Sequence, residues 1–152
     1  MPACGHLLVT TPILLSLAAC GGSSMSTPAT LTQVQTDVFS ISCSLSTSCH
    51  KGGSPFGGLN LESGSSYAQI VNKASNEVPS KMRVVAGDTM NSYLMDKVLN
   101  RNLPTGPAMG QMLPSNCLCP PTWAQMPLNN PPLDSNQMRE LSSWIAAGAM
   151  NN

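Results

Sequence analysis

Two cysteines and a histidine stand close together in this chain: Cys43, then Cys49 with His50 directly after it. The residues between the cysteines, Ser44 to Ser48, make the pattern C-x5-C-H. Three chemistries are open to such a group. The two thiols can oxidise to a disulfide. They can join His50, Cys117 and Cys119 around zinc, although neither C-x5-C nor C-x-C has the spacing usual for a zinc site. Or they can add across the vinyl groups of a haem, because Cys-His ends the attachment motif C-x-x-C-H and the adjacent imidazole then reaches the iron. The longer spacer is compatible with this, since only its two ends have to meet the macrocycle.

A haem held by His50 needs a second axial group. The other histidine, His6, falls in an apolar leader, so a second imidazole from the mature chain is excluded. Methionine is plentiful, with ten residues, and a thioether is a soft ligand that raises the reduction potential. Met109, Met112 and Met126 all precede the last helical segment, and each could equally be a gap-filler. Arg83 and Tyr93 are polar residues suited to haem propionates, arginine because its fork matches a carboxylate. The competing reading makes them an exposed arginine and a half-buried tyrosine. Cys117 and Cys119 fit a disulfide, either with each other or elsewhere, in an oxidising compartment.

The elements that must position these groups are helical. Thr30 and Gln33 have capping-box spacing, and Leu31, Val34 and Val38 share one helical face that Phe39 widens, ending near Ile41. Residues 42–65 read as a serine- and glycine-rich loop carrying Cys43, Cys49 and His50. A short helix is predicted over Ser66 to Lys73 and another near Asn91 to Leu99, the latter with Leu94, Met95, Val98 and Leu99 on its apolar side. Residues 102–133 are too dense in proline for a continuous helix or a central strand. Asp134 and Gln137 open the last helix, Met138, Leu141, Trp144 and Ile145 form its buried face, and Gly148 ends it. The expected class is all-α: about four helices with long proline- and glycine-rich loops, and no strand. With 4% aromatic residues, the chain builds a thin core that a large prosthetic group would fill.

The N-terminal stretch is of another kind. No charged side chain precedes Asp37, and Leu7 to Ala19 is an apolar run that Cys20 follows. It is shorter than the ~20 residues a spanning helix needs and fits the hydrophobic part of a signal peptide. Leu17-Ala18-Ala19-Cys20 resembles a bacterial lipobox, which implies cleavage after residue 19 and lipidation of Cys20. Gly21, where an aspartate would retain the protein at the inner membrane, implies the outer membrane. Residues 1–19 are thus expected to be signal peptide, 20–29 a flexible tether and 30–152 one domain. Acidic and basic residues balance at seven each, and no basic tract suggests nucleic acid.

The ordered series Val38-Phe39, Cys43, Cys49-His50, Gly52-Gly53, Gly58-Leu59-Asn60-Leu61, Tyr67-Ala68, Arg83-Val84, Gly87-Asp88, Ser92-Tyr93-Leu94, Met126-Pro127 and Trp144-Ile145 with Gly148-Ala149 resembles single-haem class I cytochrome c domains. It looks closest to exported versions from predatory and soil bacteria, and the likeness covers roughly Leu31 to Ala149. The resemblance implies one covalent haem c, His50 as proximal ligand, the methionine of a Met-Pro pair as distal ligand, and first and last helices crossed behind the haem. Met126 is then favoured over Met112. The expected function is electron transfer with other exported redox proteins, from the periplasmic face of the outer membrane or the cell surface, with no substrate transformed. Two alternatives stay open: a structural or binding lipoprotein with a Cys43–Cys49 disulfide, and an enzyme such as a peroxidase, or a sensor, with an open iron position.

Overall fold

The computed structural model describes residues 27–104 and 124–152. The signal peptide, Cys20, most of the tether, Met109, Met112, Cys117 and Cys119 lie outside these residues.

The first helix starts where the capping box places it. Thr30 accepts from the Gln33 amide, and the Gln33 side chain accepts in return from the Thr30 amide at 2.8 Å. Helix α1 (Leu31–Val34) then runs unbroken into nine π-helical residues, Gln35–Cys43. Such widened coils are rare, usually a single turn, and cluster at functional sites. The closing bond of this one runs from the Ser44 amide to the Phe39 carbonyl, five residues back, at 2.8 Å. The helix therefore passes the expected stop at Ile41, and Cys43 is its last residue rather than part of a loop. Leu31, Val34, Val38 and Phe39 are buried, as the spacing predicts.

Helix α2 is Ser66–Ile70, shorter than expected because Val71 turns extended and Asn72 adopts a positive φ of 53°. Val71 instead bridges Val84, one of three isolated β-bridges; among the described residues no strand forms. Helix α3 is Tyr93–Leu99. Its inner side is made by Tyr93, Met95 and Val98, while Leu99, expected inside, is exposed.

Helix α4, Ser135–Ala146, follows its sequence closely. Asp134 accepts from the amides of Asn136 and Gln137 at 2.8 and 2.9 Å, and Gly148, at φ 102°, takes the left-handed turn that ends it. Leu141, Trp144 and Ile145 are buried against Val34, Val38 and Phe39 in one core. Gln137 does more than cap: its amide nitrogen donates to the Asp37 carbonyl at 2.7 Å, joining α4 to the π-helical turn. At the other end of α1, the first amides find partners on Asn152, Leu31 donating to its side chain at 2.9 Å and Thr32 to its backbone at 3.0 Å. These bonds satisfy groups that a helix start leaves unpaired. None of the helices is long and apolar enough to cross a membrane, among the described residues.

Candidate functional site

Cys43 sits at the end of the first helix, and the chain beyond it folds back on itself. The His50 amide donates to the Cys43 carbonyl at 3.2 Å, and the Cys49 amide to the Ser46 carbonyl at 2.9 Å. The long spacer is thus closed by a turn, and Cys43 and His50 are brought together. The His50 carbonyl in turn accepts from Leu61 at 2.8 Å, holding the far end of the loop. Between them, Glu62 accepts from the Gly52 amide at 2.9 Å and from Asn60 at 3.2 Å. Those bonds, that of Gly52 foremost, hold its carboxyl below the usual range. Gly58 sits at a φ of 62°, where a side chain is strained, and a Cβ there would also displace the Asn76 amide that donates to the Gly57 carbonyl.

The His50 ring is oriented by its surroundings. Nδ1 lies 3.1 Å from the Phe56 carbonyl oxygen, which only accepts, so Nδ1 carries the proton and the Nε2 lone pair is left for a ligand. A backbone carbonyl on one nitrogen is the usual device for aiming the other at a metal. Burial lowers the His50 pKa, opposed by backbone hydrogen bonds to Phe56 and Leu59, which favours the neutral ring.

His50 lines a largely apolar cleft, partly open to solvent, with a cavity volume of about 70 Å³. Sites for cofactor-sized molecules span roughly 300–1,000 Å³, so a haem would have to part these walls. Leu59, Leu61 and Ile70 form one apolar part of the wall, and Leu94 and Val98 of α3 another. Cys43, Arg83, Tyr93 and Met126 line the same cleft. Five of the six described residues singled out from the sequence therefore meet in one place. The sixth, Cys49, is not in the lining; its sulfur lies 3.4 Å from the Ser46 hydroxyl. Both cysteines are free thiols, and burial, with Cys49 adding to it, pushes the Cys43 thiol up to about 12.

Met126 is placed by α3. The last carbonyls of a helix lack partners within it, and here Lys97 and Val98 accept from the Met126 amide and the Gln125 side chain, each at 3.0 Å. Arg83 enters from the segment between α2 and α3, its Nη1 donating to the Gln69 carbonyl at 2.7 Å. Burial lowers its pKa against the pull of Glu77. Tyr93 donates to Glu77 at 2.9 Å. Burial, reinforced by that carboxylate, pushes its hydroxyl up, so it remains a donor.

Glu77 and Lys97 were not anticipated. Lys97 stands one turn after Tyr93 on α3, the spacing at which helical side chains become neighbours, and that was the available signal. Glu77 carried none, because its loop has no periodicity. Beside them, Asp96 is 1% exposed and takes Lys81 at 2.6 Å, Arg101 at 3.0 Å and Asn102 at 3.1 Å. That network locks the C-terminal end of α3.

The donor set fits a haem: an imidazole with a free nitrogen, a thioether, a thiol and cationic donors around an apolar cleft. Among the described residues no group of three His, Cys, Asp or Glu side chains is placed to hold a metal ion, so a zinc centre would depend on Cys117 and Cys119. Compared with family models, curated proteins and solved structures, the chain finds no match.

Proposed function

We propose that this chain is an electron carrier of cytochrome c type, with one covalently bound haem in the cleft between the Cys43–Leu61 loop and α3. The observation that carries the reading is the convergence of Cys43, His50, Arg83, Tyr93 and Met126 on that single apolar cleft, from segments far apart in sequence. In this reading His50 is the proximal ligand and Met126 the distal one. Cys43 and Cys49 would provide the attachment, and Arg83 and Tyr93 would hold the propionates. The helical architecture, with α1 packed on α4 and long loops around the cleft, is compatible with a cytochrome c-like fold.

When bound, the haem supplies a one-electron ferrous–ferric couple. The chain's own contributions are to exclude water with Leu59, Leu61, Ile70 and Val98, to aim the His50 imidazole through Phe56, and to hold Met126 on the end of α3. Partners are exported redox proteins, and the site is at the envelope through a lipid on Cys20.

Protein produced together with the haem-maturation machinery should give a c-type pyridine haemochrome spectrum and keep its colour through acid–acetone extraction. A colourless protein with Cys43 joined to Cys49 overturns the reading in favour of a structural or binding lipoprotein. A high-spin spectrum without a sulfur ligand favours an enzyme or sensor.

A further inference from the structure

One wall of the cleft is not apolar. There the carboxylate of Glu77 is held by two donors of α3: Lys97 Nζ lies 3.0 Å from Oε2 and 3.4 Å from Oε1, and the Tyr93 hydroxyl donates to Oε2 at 2.9 Å. Lys97 is only 7% exposed, and a buried ammonium is costly unless an anion answers it. The two donors are one helical turn apart on a rigid element, so their spacing is set by α3 whatever anion they hold. Glu77 comes instead from a loop, where the Ser75 hydroxyl accepts from the amides of Glu77 and Val78 at 3.1 and 3.2 Å. Its side chain is also the more exposed of the pair, 19% against 9%. Arg83, on the same cleft, commits Nη1 to Gln69 and keeps further donors.

We propose that Tyr93 and Lys97 form a carboxylate clamp for the molecule taken into the cleft, and that Glu77 is an internal stand-in that occupies the clamp until that molecule's carboxylate displaces it. The inference rests on the haem reading, in which the carboxylates are porphyrin propionates. Glu77 thereby keeps Lys97 compensated in the empty chain and competes with the cofactor during loading.

The test uses full-length chain made without the maturation machinery, titrated with ferric protoporphyrin and, separately, with its dimethyl ester. A charge-assisted hydrogen bond contributes about 1.5–3 kcal/mol, or roughly 10- to 100-fold in affinity. The clamp should therefore favour the free diacid over the ester by about tenfold, the low end, because Glu77 must first be displaced. Glu77→Gln should tighten the diacid several-fold and leave the ester unchanged. Lys97→Met should lower the preference, leaving the share carried by Arg83 and Tyr93, and Lys97→Met combined with Glu77→Gln, which strands no charge, should do the same with helicity retained. Equal binding of the two porphyrins by the unsubstituted chain overturns the clamp alone. So does a Glu77→Gln chain whose affinity for the diacid does not rise. If neither porphyrin binds any form of the chain, the clamp and the haem reading fall together.

Discussion

The amide of Met126 donates to the carbonyl of Lys97 at 3.0 Å. This bond ties the proposed distal ligand to the helix whose side chains make the polar wall of the cleft. The structure anchors Met126 on the C-terminal end of α3. Met126 and the clamp residues Tyr93 and Lys97 thus rest on one helix.

From that anchoring, Met126→Ala in the haem-loaded protein should abolish the weak near-infrared band of ferric His–Met ligation and lower the reduction potential, since a thioether favours ferrous iron. The same change at Met109 and at Met112 should leave the band in place. Loss of the band with Met112→Ala alone would assign the ligand to residues 105–123.

Adjacency to His50 ranks Cys49 above Cys43 as the covalent anchor, whereas the cleft is lined by Cys43 and not by Cys49. Cys43→Ala should therefore release more haem on acid–acetone extraction than Cys49→Ala. The opposite order would restore the ranking read from adjacency.

Asp96 sets an acid limit on stability. Burial alone would raise its carboxyl pKa, but the hydrogen bonds from Lys81, Asn102 and Arg101 outweigh burial and lower it from 3.8. A depressed folded-state pKa means stability that is present above the unfolded value and lost as pH falls through the folded one. Asp96→Asn should cost about 2 kcal/mol at pH 7, near the middle of the range for a hydrogen bond to a charged group. Lys81 and Arg101 keep partial access to water, which limits the loss. The variant should also show a shallower decline in denaturant midpoint below about pH 4; an unchanged acid slope would remove Asp96 as its source.

Lipidation is read from Leu17-Ala18-Ala19-Cys20. The mature N-terminal peptide should carry acyl mass on Cys20, and Cys20→Ala should move the protein from the membrane fraction to the soluble one. An unmodified N-terminus at another residue would reject the lipobox.

Cys117 and Cys119 are expected to be oxidised, because free thiols persist poorly outside the cytoplasm. Thiol counting on unfolded, unreduced protein should find neither reactive. Labelling of either one would leave it free for another role.

What the sequence determined by itself was local. Both capping boxes, the buried faces of the first and last helices, and the stop at Gly148 follow from spacing and turn chemistry within a few residues. Cys43 and His50 stand out by residue type and adjacency, Arg83 and Tyr93 as polar groups suited to carboxylates, and Met126 is favoured through the resemblance to cytochrome c domains. Tertiary structure decided what depends on partners distant in the chain. Helix α2 stops at Ile70 because Val71 pairs with Val84. Helix α1 continues to Cys43 as a widened coil whose Asp37 carbonyl is taken by Gln137, one hundred residues away. Lys97 belongs to the cleft because a loop glutamate with no sequence signature meets it there. Spacing reports which side chains share a face, whereas a buried charge declares its place only when the opposite charge has been folded against it.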